Sequence, residues 1–184
     1  MSRPDGPTPG SAADGVPDAD PVEVARAICL RQLTAGPRSR AQLATALARR
    51  NVPAEAATQV LERFAEVGLV DDAEFARQWV ESRRRGRGLS RRALDHELHA
   101  KGVAPADRAA ALDTVDGEDE AEAARRLVDR KLRPTRGLDP PVRARRLAGM
   151  LARRGYPPGV ALRVVRAALE DDDLAAAVPL DELD

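Results

Sequence analysis

Residues 71–103 read DDAEFARQWVESRRRGRGLSRRALDHELHAKGV. A helical segment carrying Phe75 and Trp79 leads into a run of arginines, then into a second amphipathic segment that ends at Lys101-Gly102-Val103. The second half of this pattern recurs on both sides of it. Leu43, Leu47, Arg49, Arg50, Asn51 and Pro53 precede it, and Leu147, Leu151, Arg153, Arg154, Gly155 and Pro157 follow in the same order and spacing. Asn51 and Gly102 stand 51 residues apart, Gly102 and Gly155 53. Self-similarity at such a period marks a chain built from stacked copies of one small unit, which suits a binding surface better than an enzyme.

Working outward, each copy shows the same helical punctuation. Ser39 reads as an N-cap with Gln42 three residues on, a capping box, and opens a helix with Leu43 and Leu47 on its inner face. Asn51, Gly102 and Gly155 occupy the place where a left-handed C-cap residue is wanted. Pro53 fits the start of the next helix, whose stripe is Ala57, Val60, Leu61, Phe64 and Val67. The first copy begins with the period Val22, Ala25, Ile28, Cys29, Leu33 and stops at Gly36-Pro37. In the second, Asp71 caps a helix that buries Phe75, Ala76, Trp79 and Val80. Ser90 precedes Leu94 as Ser39 precedes Leu43, and Ala109, Leu112 and Val115 supply the third stripe. The third copy opens at the acidic cluster Asp116–Glu122, where negative charge favours a helix N-terminus. It continues through Ala124, Leu127, Val128 and Leu132, a longer loop over Pro134–Pro141, then Leu147, Met150, Leu151 and Ala161, Val164, Val165, Ala168. The expectation is an all-α chain without strands: three tandem three-helix repeats, helix-turn-helix-like, over 21–70, 71–116 and 117–170, forming an elongated curved rod. Residues 1–20, rich in Pro, Gly and Asp, are expected to be disordered, and 171–184 to be a frayed acidic tail from Glu170 onward.

Composition agrees. Four aromatic side chains, Phe64, Phe75, Trp79 and Tyr156, are too few for a β-sandwich, and the apolar content is carried by Ala, Leu and Val. The formal net charge is zero but unevenly spread: 170–184 holds seven acids and no base, while 125–154 holds eleven bases and two acids. A single cysteine, Cys29, excludes an internal disulfide and lies on an apolar stripe, where a buried inert thiol is expected. No apolar run approaches the roughly 20 residues that span a bilayer, and no signal-peptide core is visible, so a soluble cytoplasmic protein is expected.

Catalytic constellations are scarce, and no cofactor or metal is expected. His96 and His99 share a helix face without further ligands, and Gly86-Arg87-Gly88 lacks the strand–helix context and lysine of a phosphate loop. The Asp71-Asp72 pair is better explained by capping. The arginines are different. Arg83, Arg84, Arg85, Arg87, Arg91 and Arg92 fall within ten residues, with no acid from Ser82 to Leu94. Guanidinium groups without local carboxylates favour an external anion, phosphate or a partner's acidic surface. With Lys101 they form the candidate binding site; Arg143, Arg145, Arg146, Arg153 and Arg154 are the next candidates. Trp79 and Phe75 are assigned to the core of the middle unit.

The segment Asp71-Asp72, Phe75-Ala76, Trp79-Val80, Arg83, Gly88, Arg92, Leu94, Glu97-Leu98, Lys101-Gly102-Val103 closely resembles the RecX family, and Arg38-Ser39, Leu43, Leu47 and the Gly68–Asp72 junction resemble it too. The resemblance covers about residues 22–170; the Pro134–Pro141 loop, the N-terminal extension and the acidic tail depart from the common pattern. It implies three tandem three-helix repeats in a curved rod. It also implies a bacterial regulator that binds the RecA recombinase, lies in the groove of the RecA–DNA filament, and mostly inhibits recombinase, ATPase and co-protease activity, without enzymatic activity of its own. The expected partners are the RecA filament and DNA phosphates within it, approached by a monomer. A tandem helix-turn-helix DNA-binding protein is the alternative, although no single helix concentrates base-reading residues; a passive scaffold fits the arginine cluster less well.

Overall fold

The computed structural model of the chain describes residues 20–115 and 117–177. These residues form nine helices and no strand: α1 Pro21–Thr34, α2 Arg40–Ala48, α3 Ala54–Glu66, α4 Asp72–Arg87, α5 Arg91–Ala100, α6 Pro105–Leu112, α7 Gly117–Thr135, α8 Pro140–Ala152 and α9 Pro158–Ala177. They pack in threes. α1–α3 close around Ala25, Ile28, Cys29, Leu43, Leu47, Val60, Leu61, Phe64 and Val70. α4–α6 close around Phe75, Ala76, Val80, Leu94, Leu98, Val103, Ala111 and Leu112. α7–α9 close around Ala124, Val128, Leu147, Leu151, Tyr156, Ala161, Val165 and Ala168. Two fully buried leucines one turn apart sit on the middle helix of every unit: Leu43 and Leu47, Leu94 and Leu98, Leu147 and Leu151.

The caps explain where these helices start and stop. Ser39 Oγ accepts from Gln42 N while Gln42 Oε1 accepts from Ser39 N, a complete capping box. Ser90 Oγ accepts from Ala93 N, and Asp71 accepts from Glu74 N at 2.8 Å. Asn51, Gly102 and Gly155 are all left-handed, with φ of 56°, 74° and 85°.

The three units are joined through the ends of their middle helices. Ser39 Oγ, at the head of α2, donates to Lys101 O at the tail of α5, at 2.6 Å. Ser90 N, at the head of α5, donates to Arg154 O at the tail of α8, at 3.0 Å. The donors differ for a local reason. Gln42 occupies the Ser39 amide, leaving the hydroxyl to cross the junction; Ala93 stands where Gln42 does, so the Ser90 amide is available. Beside each junction the first helical amide donates to a carboxylate of the following unit, Arg40 N to Asp72 at 2.8 Å and Arg91 N to Glu120 at 2.9 Å. The tail of α8 therefore meets the head of α5, and the tail of α5 the head of α2, each carbonyl end against a donor-rich N-terminus. Every inter-unit hydrogen bond among the described residues joins neighbours, giving an elongated array.

Several expectations are corrected. Pro134 is not in a loop but in the last turn of α7. The carbonyls near it are met by side chains: Thr135 Oγ1 donates to Lys131 O and Leu132 O, and Arg143 Nη2 donates to Leu132 O. Gly86 belongs to the final turn of α4, and only Gly88 (φ 59°) turns the chain. Val67 and Ala109 are exposed; Ala111 takes the buried place in α6. Helix α9 does not fray at Glu170 but continues to Ala177, held by pairs from Asp171 to Arg125 (2.8 Å) and from Asp172 to Arg136 and Arg143 (2.5 Å each). Of the N-terminal extension only Asp20 is described, and it caps α1 by accepting from Val22 N at 2.9 Å. Residues 1–19, Asp116 and 178–184, with the expectations made for them, lie outside the described residues.

Candidate docking surface

The arginine cluster runs from the last two turns of α4, through the Gly88 turn, into the first turn of α5. The stretch from Ser82 to Leu94 contains no acid, but the fold brings carboxylates from outside it to the cluster. Arg83 Nε lies 3.3 Å from Glu97 Oε2, and Arg87 Nη1 3.2 Å from Glu97 Oε1. Arg85 pairs with Glu81 one turn earlier. Arg91 pairs with Asp113 at 3.1 Å and donates to the carbonyls of Leu112 and Val115. The premise that these guanidinium groups lack counter-charge is thereby corrected for Arg83, Arg85, Arg87 and Arg91. Arg91 is a structural residue, since it closes the C-terminal end of α6. Among the described residues no ion pair reaches the exposed Arg92.

Trp79 is half-buried rather than sealed in the core. Its ring stacks on Phe75 at 5.8 Å between centroids, and its indole N–H donates to Glu97 at 2.9 Å. Arg83 Cζ and Lys101 Nζ lie over the ring at 4.0 and 3.8 Å from its centroid. Burial, and then the neighbouring charges of Arg83 and Arg38, hold the Lys101 ammonium below its ordinary pKa, against the pull of Glu97. Arg83 and Lys101 thus frame the Trp79 platform, while Arg85 and Arg87 face outward with most of their side chains exposed.

A cleft of about 630 Å³ opens beside this platform between the second and third units, floored by Val80, Leu89 and Leu127 and rimmed by Arg77, Arg84, Arg85, Arg126 and Arg130. Gly88 sits against Leu127 there, and the buried Tyr156 hydroxyl donates to Gly88 O at 3.2 Å. Burial, with the Glu120 carboxylate next, pushes that phenol up. Of the reserve candidates, Arg143 is excluded from any outward contact. It is buried and spends its donors on Asp172, Leu132 O and Thr135 Oγ1. Arg154 is partly spent on Arg87 O and Met150 O. Cys29 is fully buried, and burial raises its thiol pKa. His96 and His99 are exposed, no cluster of metal ligands exists among the described residues, and no described helix is long and apolar enough to cross a membrane.

A second basic face was not singled out by the sequence reading. Residues 24–54 contain six arginines and no acid, a longer acid-free run than the one around Arg83. Of these, Arg26 pairs with Glu23, and Arg40 donates to Leu61 O. No ion pair among the described residues reaches Arg38, Arg49 or Arg50.

Comparison with known proteins follows the same three-part division. Residues 25–64, 71–112 and 118–165 match the models of the first, second and third three-helix domains of RecX. The chain is 61% identical over 168 residues to the regulatory protein RecX of Streptomyces coelicolor, covering 91% of this chain and 89% of that protein. It is 53% identical over 178 residues to that of Thermobifida fusca, covering 97% and 94%. The crystal structure of RecX from Lactobacillus salivarius superposes with a TM-score of 0.70 at 14% identity, over 85% of this chain and 99% of that one, a likeness of fold. With three RecX domains in their family order and close relatives matched along most of their length, the chain belongs to the RecX family of regulatory proteins.

Proposed function

We propose that this protein binds the RecA recombinase assembled on DNA and restrains its strand exchange, ATP hydrolysis and co-protease activity. The observation that carries the reading is the match to regulatory RecX proteins through all three domains, at up to 61% identity. The geometry supports a regulator that works by contact. An elongated array presents many side chains along its length, and Arg85, Arg87 and Arg92 face outward from its central unit, with the half-buried Arg84 on the rim of the neighbouring cleft. Arg83, Arg91 and Lys101 serve that surface from beneath, by holding Trp79 and the end of α6 in place. The protein acts as a monomer in the cytoplasm, needs no cofactor and catalyses nothing itself.

The test is the ATPase rate of RecA on single-stranded DNA, titrated with this protein. The rate should fall as the protein approaches a fixed ratio to RecA subunits, and the variant Arg84→Gln/Arg85→Gln/Arg87→Gln should need a higher concentration to reach the same inhibition. Unchanged RecA turnover in the presence of excess protein, together with tight sequence-selective binding to bare duplex, would replace this reading with the helix-turn-helix one.

A further inference from the structure

The outward face of α2 is a groove of about 720 Å³ lined by Gln32, Arg38, Gln42, Thr45, Arg49 and Arg50, with Ala46 and Ala100 beneath. Gln42, Thr45 and Arg49 recur at helical spacing along α2 and its C-cap, and Arg38, just before the N-cap Ser39, stands at the other end, so a guanidinium flanks the groove on each side. The lining contains no acid. Arg38 Nε is buried and has no hydrogen-bond partner among the described residues, an orphan donor of the kind that folded proteins rarely leave unmet. Arg38 also stands close enough to Lys101 to help hold that ammonium below its ordinary pKa, after burial and Arg83 and against Glu97.

The repeat shows why this face is left over. Arg49 and Arg50 correspond to Arg153 and Arg154 of the third unit. Arg154 donates both to Met150 O and, across the junction, to Arg87 O of the second unit. Arg50 makes the equivalent of the first contact, to Ala46 O at 3.4 Å. Among the described residues no unit packs against the tail of α2, so the second contact has no counterpart there, and neither Arg49 nor the remaining donors of Arg50 bond across a junction.

We infer that the α2 groove is a binding site for the phosphodiester backbone of a nucleic-acid strand, with Arg38 and Arg49 each taking a phosphate. The chemistry of the lining favours phosphate over a peptide. Phosphate contacts come from Arg and Lys supported by neutral side-chain amides, as Gln32 and Gln42 provide here, while the Thr45 hydroxyl is spent on Ala41 O. A protein partner anchors through apolar or aromatic side chains in a desolvated pocket, and this groove has only Ala46 and Ala100 to receive one. The cleft between the second and third units, with its floor of Val80, Leu89 and Leu127, has the opposite character.

The test uses the full-length protein and a fluorescein-labelled oligothymidylate, with binding read by anisotropy across a salt series and no RecA present. Loss of two phosphate contacts in Arg38→Gln/Arg49→Gln should make the slope of log affinity against log salt shallower by about 1.4, at roughly 0.7 per contact for single strands. The deficit relative to wild type should therefore grow about sevenfold as salt falls from 200 to 50 mM. Arg38→Lys/Arg49→Lys, which keeps both charges, should retain a slope near wild type, and a thermal melt confirms that each variant is folded. Equal affinity and slope for wild type and the glutamine variant would overturn the assignment. Displacement of the strand by micromolar tripolyphosphate would overturn it in favour of a free polyphosphate ligand. Unchanged strand binding with lost inhibition of RecA would overturn it in favour of a protein surface. Because the binding assay contains only this protein and DNA, its failure leaves the regulatory reading standing, and failure of the RecA titration leaves this one.

Discussion

At Gly155 the chain is left-handed, and a Cβ there would stand 2.6 Å from Ser90 Oγ and 2.7 Å from Ala93 Cβ. At Gly102 a Cβ would overlap that of Ala41. Both glycines lie where one unit's tail meets the next unit's head. Asn51 holds the same conformation at the tail of α2, against which no described unit packs, and there a side chain is accommodated. Gly155→Ala should cost the roughly 1–2 kcal/mol of a left-handed L-residue plus the cost of parting the junction, while Asn51→Gly should change stability little. Chemical denaturation of the two variants compares them directly; equal losses would sink the junction argument. The matched Asn, Gly and Gly were legible in the sequence as helix ends, but the reason for the exception was not, because it lies in a neighbour about 60 residues away in the chain. Arg91 and Arg92 make the same point. They look alike in the sequence, yet Arg91→Ala removes bonds to Leu112 O, Val115 O and Asp113 and should cost about 1–3 kcal/mol, while the exposed Arg92→Ala should stay within about 0.5. Trp79→Ala, at a half-buried site, should fall below the roughly 3–5 kcal/mol of a sealed aromatic.

At the level of elements, the third unit depends on a clamp at its far end. Asp172 accepts from Arg136 and from the buried Arg143, and those two hydrogen bonds lower its pKa to about 2. Asp172→Ala would leave the buried Arg143 guanidinium only the exposed Asp173 carboxylate at 4.0 Å, and breaking such a buried pair typically costs about 3–5 kcal/mol, with the Asp173 contact holding the loss to the lower end. The pH dependence follows from the direction of the shift. A carboxyl whose folded pKa is depressed stabilises fully above its ordinary value near 3.9, and the contribution is lost as pH falls from there through about 2. Urea midpoints of the wild type should therefore drop through that window more steeply than those of Asp172→Ala; parallel curves would show that the clamp adds nothing. The helices themselves were legible from apolar periodicity and caps, because those signals are local. The end of α9 was not: a run of Glu and Asp after an apolar stripe looks like a solvated tail until Arg136 and Arg143, 36 and 29 residues earlier, are seen to reach it.

Across the whole molecule, the end-to-end stack of α8, α5 and α2 makes stability a matter of neighbours. The head of the third middle helix is built differently from the other two. The head of α8 carries Asp139-Pro140 where α2 and α5 carry Ser-Arg, and a proline has no N–H to offer a further unit's carboxylate. The period of the repeat was readable from the sequence, and so was the presence of a basic surface. Which arginines are spent inside the molecule was not, since Glu97 and Asp113 reach the cluster only through the packing of α4, α5 and α6. The same packing gives the array a testable seam. Asp72→Ala removes the carboxylate that meets the Arg40 amide, a charged bond worth about 1.5–3 kcal/mol, so the amides of α2 should exchange with solvent roughly 10- to 100-fold faster. Glu120→Ala should do the same to α5 through Arg91. In the first variant the amides of α8, two junctions away, should keep their wild-type protection, because no described hydrogen bond links the first unit to the third. Uniform loss of protection across all three middle helices would mean that the units unfold as one body, and the neighbour-by-neighbour picture of this array would have to be abandoned.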